Sequence, residues 1–489
     1  MPVRPAGSSG TGAADGPGGA SGTGAADGPG GASGTETCPS ETAVAPPSPS
    51  QSCVASLREL GEVLTCEPAG CDALERVVDL ECDALPLAPS IAAGGATTTV
   101  FAYTQGEDDA VAHLLTVEGD SLRVDDTPEL ADPRATLPAY SIMNGRVSAD
   151  ASGARWLFAG EAAELTALRE TAAGWARSSV VPPQDPFASQ GAHLTDVAMV
   201  APELGFLTYR EVGSQSPHLV TWDGSCWSDE LLAVAGSSAV RLDLDAAQRP
   251  WLSWLTQDAA AWGIAVLSPD GVRRTLQHEQ LSYTEAWRLL PGGFSGTEEL
   301  PVALVRLEDG LHVLSAAEDE GTQDRTVPDS GPGVISGDCP GTNRAFQFED
   351  PDPCAGQTEC EERLLGASSL FAVTRTASGT AFAVWVAYDS EGTFTLENAC
   401  DGAGEMGPEC WCQRTETTGS GTADLVIARL LDRGPTSAHV RFAIEGAGTS
   451  SARPVVAAAQ GETLRIAAYL GGSADRRLSY LELDTRQLP

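Results

Sequence analysis

The stretch Ser148–Trp156, SADASGARW, sets an acidic residue ahead of a turn former at +3 and a large apolar residue at +6. The same spacing returns as Asp245-x-x-Gln248-x-x-Trp251, Thr376-x-x-Gly379-x-x-Phe382 and Ala458-x-x-Gly461-x-x-Leu464. A small or polar residue opens each hairpin, the +3 residue turns the chain, and the +6 residue starts the next strand. Weaker hairpins near Gly106, Glu203 and Gly296 bring the signals to seven. In chain order they fall near 105, 150, 202, 245, 297, 378 and 460, so the first four intervals are 45, 52, 43 and 52 residues. A four-stranded propeller blade takes about 40–50 residues. The last two intervals, 81 and 82 residues, contain cysteine-rich inserts at about 329–366 and 398–422.

The clearest apolar runs are short: Val100–Tyr103, Trp156–Ala159, Phe206–Tyr209, Trp251–Leu255, Val302–Leu307, Phe382–Tyr388 and Leu464–Leu470. Turn-rich segments flank each of them, and long runs at the helical period are nearly absent. Asp223-Gly224, Asp270-Gly271 and Asp309-Gly310 add residue pairs suited to tight hairpins. These signals predict an all-β body over residues 91–489, a β-propeller of seven blades with the two inserts protruding as loops. A chance spacing in a glycine-rich pair of β-sandwiches is the competing architecture.

The body resembles the β-propeller superfamily. Its unit Ser148-x-Asp150-x-x-Gly153-x-x-Trp156 is similar to the Asp box of sialidase-type propellers, S-x-D-x-G-x-T-W, with one residue more between Asp and Gly. The other units lack its serine. An Asp box is a structural turn on the blade rim, so the resemblance implies architecture and assigns no catalytic role to these residues. Sialidase-type catalysis would require arginines, a tyrosine and an acidic pair converging at the centre of one face.

The N-terminus is of another kind. Ser9–Ala20, SGTGAADGPGGA, is repeated unchanged as Ser21–Ala32, and a third copy begins at Ser33. Residues 1–52 offer no apolar face and read as a disordered Gly/Ala/Ser/Pro-rich linker. Residues 53–90 form a small cysteine-rich segment, in which Leu57, Leu60, Val63 and Leu64 predict a short helix between Cys53 and Cys66. Met1–Gly10 carries no apolar signal region. A start downstream of the true one, with a signal or lipid anchor lost, is preferred to a cytoplasmic location, because of the cysteines.

These are Cys38, Cys53, Cys66, Cys71, Cys82, Cys226, Cys339, Cys354, Cys360, Cys400, Cys410 and Cys412. No C-x-x-C pair occurs and no histidine lies near the clusters, so disulfides are preferred to zinc. The first five are odd in number, so at least one pairs elsewhere, and Cys226 is the only lone cysteine of the body. Each insert holds three, which predicts at least one bridge between the inserts. An extracytoplasmic, bacterial, secreted or lipoprotein-like product follows from this reading.

A formal charge of −39 excludes nucleic acid and anionic membrane as partners. All 29 basic residues are arginine, which removes Schiff-base, P-loop and Ser–Lys chemistry and points to a GC-rich genome. No run of eighteen apolar residues is present, so no transmembrane span is expected. His113, His193, His218, His278, His312 and His439 stand alone, and Gly293-Phe294-Ser295-Gly296 misses the nucleophile-elbow spacing. The acidic runs Glu107–Asp109, Glu318–Glu320 and Glu349–Asp352 offer oxygen ligands for Ca²⁺, or are solvated loops. Tryptophans such as Trp156, Trp222, Trp227, Trp251 and Trp411 suit core packing, or a platform for sugars. No catalytic residue, cofactor or metal ligand is assigned. The expected function is that of a monomeric, surface-tethered or secreted propeller binding a protein or glycan partner. A propeller-scaffold glycoside hydrolase or lyase and a passive envelope protein are the alternatives.

Overall fold

All seven apolar runs prove to be second strands, one in each of seven antiparallel sheets. The computed structural model describes residues 35–489 apart from short stretches, the longest being 128–144 and 182–191. Blade 1 runs from Pro86–Gly94 at the centre through Thr97–Gln105 and Ala110–Glu118 to Ser121–Asp126. Blades 2 to 5 repeat this order, with innermost strands Arg146–Ala149, Ala192–Ala201, Arg241–Leu244 and Trp287–Leu290. Blade 6 is built on Glu359–Arg375, Ala381–Gly404, Gly407–Leu430 and Thr436–Glu445. Blade 7 joins both halves of the chain: Val455–Gln460, Thr463–Ala468 and Arg477–Asp484 are followed outward by Leu74–Cys82.

Seven apolar clusters, one between each pair of neighbouring blades, close the ring. Phe101 and Leu157 share the cluster between blades 1 and 2, for example, while Val100 and Tyr480 share the one between blades 7 and 1. A second strand is therefore covered on both faces. Val302–Leu307 is buried at every position, which is why such strands read as unbroken apolar runs. Outer strands such as Arg273–Gln277 cover one face only and are polar. The fold is a seven-bladed β-propeller.

The four spaced motifs form one kind of turn between the first and second strands of blades 2, 4, 6 and 7. Their +3 residues all have positive φ: Gly153 at 85°, Gln248 at 60°, Gly379 at 89° and Gly461 at 60°. The Asp150 carboxylate accepts from Ser152 N at 2.8 Å and Ala154 N at 3.2 Å, and from the Trp156 indole at 3.1 Å. Asp245 does the same for Ala247 N, Arg249 N and Trp251. The hairpin signal near Gly106 belongs to the next connection of blade 1, since the first and second strands there join at residues 94–97.

Residues 35–67 depart from the linker and helix expected of them. Thr35–Thr37, Thr42–Val44 and Ser48–Pro49 add outer strands to blades 3, 2 and 1 in turn. Cys53–Leu57 and Val63–Glu67 then extend blades 7 and 6, so among the described residues between Cys53 and Cys66 strands stand where the helix was expected. The segment runs backward around the rim as a strap. Edge pairing uses backbone groups alone, so it needs no apolar face on the added strand. The repeat at residues 9–32 lies outside the described residues.

The inserts are strands where loops were expected. Ala381–Gly404 and Gly407–Leu430 form one long hairpin whose distal half is an arm continuous with blade 6. Cys354, Cys360, Phe394, Leu396 and Cys412 give the arm a small core of its own. Bridges join Cys339 to Cys360, Cys400 to Cys410, and Cys354 to Cys412, the last linking the two inserts. Cys38 pairs with Cys226 and Cys53 with Cys82, fixing the strap to blades 3 and 7. Cys66 is also disulfide-bonded, and Cys71 lies outside the described residues. No described cysteine is free.

Candidate functional site: an arginine cluster at the propeller centre

The innermost strands of blades 2 to 5 carry titratable residues in their first halves. Arg146 opens its strand, Arg241 opens another, Arg288 stands second in a third, and His193 and Asp196 lie in the strand between. Because these strands line the centre of the ring, their side chains converge there. Arg288 Nη1 lies 3.1 and 3.3 Å from the two Asp196 oxygens, and Arg241 Nη1 lies 3.9 Å from one of them. Arg146 donates to the carbonyls of Gly145 and Thr195 at 3.0 and 3.3 Å. Asp196 also accepts from Leu242 N at 3.2 Å, and Asp243 accepts from Leu289 N at 3.3 Å. Tyr103 of blade 1 stacks edge-on against Phe101 beside Gly145, where its charge field reaches Arg146.

Three guanidiniums thus face two carboxylates, and Arg210 adds its charge from the next strand. The site carries a positive excess inside a chain of net charge −39. Burial pushes the Asp196 carboxyl upward, yet Arg288, Arg241 and Arg146 outweigh it and hold the group below its ordinary range. Asp243 goes the other way: burial pushes it up to about 6. Burial and the Arg288 charge bring Arg241 down to about 10. His193, buried among Arg210, Arg146 and Arg241, falls to about 4 and stays neutral. Its Nδ1 and the Nε of Arg241 and Arg210 have no hydrogen-bond partner. Those orphaned donors and the surplus of guanidinium charge suit an anion, above all a planar carboxylate that accepts two parallel N–H bonds.

The residues singled out by sequence are mostly structural. Asp150 and Asp245 are turn holders. Eight of the ten tryptophans are buried, among them Trp156, Trp222 and Trp227, which pack with Phe158. His113 and His218 tie the third strand of a blade to Asp126 and Asp229 of the fourth, at 2.7 and 2.9 Å. The Ca²⁺ candidates lie outside the described residues except Asp352, which accepts from Asn398 at 2.9 Å. Sequence reading missed the arginines. A signal was present: Arg146 and Arg241 each stand four residues ahead of the aspartate that opens the turn.

No family model matches the chain, and no curated protein matches it. Among solved structures, a protein from Lactobacillus plantarum is 12% identical, covers 76% of this chain and 96% of its own, and superposes with a TM-score of 0.35. A Trypanosoma rangeli sialidase in complex with the inhibitor DANA is 10% identical, covers 89% and 97%, and gives a TM-score of 0.27.

Proposed function

We propose that this chain is an extracytoplasmic propeller that binds a protein or glycan partner at the centre of the ring, through an anionic group of that partner. The observation that carries the reading is the convergence of Arg146, Arg241 and Arg288 on Asp196, with guanidinium charge to spare. The disulfides suit an oxidising compartment, and no helix among the described residues is long and apolar enough to cross a membrane. Immobilised acidic and neutral glycans and acidic peptides, probed with the intact chain and with Arg241→Ala, test it. A carboxylate- or sulfate-bearing member should be retained, and the variant should lose at least tenfold in affinity. Equal retention of neutral and acidic probes, or binding untouched by the substitution, would refute it.

A second reading, a glycoside hydrolase or lyase, has one observation in its favour. Asp196 is held ionised while Asp243 is pushed up to about 6, the divergence that an acid and a base require. Release of 4-methylumbelliferone from sialoside and uronide substrates, abolished by Asp243→Asn, would establish it. No release from either class would refute it.

A further inference from the structure

We propose that the rim between blades 4 and 5 holds a divalent transition-metal ion of the Zn²⁺ class, on His278, His312 and Asp324. His278 follows the outermost strand of blade 4, while His312 and Asp324 belong to the third and fourth strands of blade 5. One ligand atom from each lies within 4.8 Å of the other two. Asp324 presents one oxygen 2.8 Å from His312 Nδ1 and the other 3.3 Å from His278 Nε2. Ligands about 2.0–2.2 Å from a tetrahedral zinc stand about 3.3–3.5 Å apart, so little closure is needed.

A second observation is independent of those three atoms. The far nitrogen of His312, Nε2, lies 2.8 Å from Asp309 Oδ1, and the ring is 4% exposed. A carboxylate behind a histidine fixes the tautomer and turns the other nitrogen toward a metal. Among the described residues, His113 and His218, which tie strands in blades 1 and 3, belong to no such cluster of three ligands. His278 enters from a different blade, so the ion would bridge blades 4 and 5. Among the described residues these are the two blades to which the strap adds no strand. Two imidazoles and one carboxylate favour a borderline cation over Ca²⁺ or Mg²⁺, and leave a fourth position for water. The side chain of Asp324 is 33% exposed and that of His278 15%, so an ion has access from solvent. The net charge of −39 raises the local cation concentration. Without metal, His278 Nδ1 accepts from Gln280 N at 3.2 Å, so binding through Nε2 moves that ring's proton to Nδ1 and gives up this bond.

The test is titration of the full, disulfide-intact chain with ZnSO₄ by calorimetry, with Co²⁺ as a spectroscopic probe. The wild type should take up one equivalent at micromolar concentration, and Co²⁺ should show the intense visible bands of a tetrahedral site. His278→Gln and Asp324→Asn should each weaken binding at least tenfold, while Asp120→Asn, an exposed acid elsewhere, should not. His312 is buried, so these two more accessible ligands are the ones substituted. If the cluster is instead only a hydrogen-bonded tie from His312 to Asp309 and Asp324, the wild type binds no equivalent and the proposal is wrong. Uptake undiminished in both ligand variants would equally overturn it.

Discussion

Replacing Asp150 with alanine removes the group that organises the blade 2 turn. Its carboxylate is 4% exposed and accepts from two turn N–H groups and from the indole of Trp156, itself 1% exposed. The Ser152 and Ala154 amides reach water once freed, so their loss costs about 0.5–1 kcal/mol each. The Trp156 N–H cannot, and an orphaned buried donor costs about 1–3 kcal/mol. Asp150→Ala should therefore destabilise the chain by about 2–5 kcal/mol, read as a lower urea midpoint by far-UV circular dichroism. A double-mutant cycle with Trp156→Phe isolates the indole bond, and the cost of Asp150→Ala should fall by about 1 kcal/mol or more in that background. A loss below about 0.5 kcal/mol, or a cost unchanged beside phenylalanine, would show that the carboxylate does not hold the turn.

Three further outcomes are expected. Asp243, raised from 3.8 to about 6, binds its proton more tightly when folded, so its contribution to stability falls as pH rises from about 4 to 6. His193, lowered from 6.5 to about 4, contributes with the opposite sign over about the same window. Asp243→Asn should thus add up to about 1.4 kcal/mol per pH unit to the slope of stability between pH 4 and 6, measured by denaturation at each pH; parallel profiles would contradict the assignment. Deleting residues 1–33 should leave the melting temperature unchanged, whereas deleting 1–52 removes three rim strands and the Cys38–Cys226 bridge and should lower it. Non-reducing peptide mapping should recover Cys354 linked to Cys412; recovery of both as free thiols would remove the bridge between the inserts and with it the oxidising compartment.

What was legible in the sequence was local. Turn chemistry and strand period are set within six residues, so Asp150 to Trp156 and its three counterparts located blades 2, 4, 6 and 7. Strands buried on both faces stay apolar throughout, so each second strand announced itself and the blade period followed. Cysteine parity required one of the first five cysteines to pair outside its segment and at least one bridge to join the inserts; that Cys38 is the one that reaches Cys226 came from the structure. The strap escaped detection because an edge strand pairs through its backbone and leaves no side-chain pattern in Thr35–Thr37 or Ser48–Pro49. The long hairpin of blade 6 escaped for a different reason: its distal strands bury only scattered residues such as Phe394, Leu396 and Cys412, so they carry no unbroken apolar run. The charged centre could come only from tertiary structure. Arg146, Asp196, Arg241 and Arg288 belong to four different blades, and each reads alone as a solvated surface charge. Ring closure brings the starts of their strands together, and the burial that follows separates Asp243 from Asp196. His278 and His312, isolated in sequence, likewise share Asp324 only because blade 4 packs against blade 5.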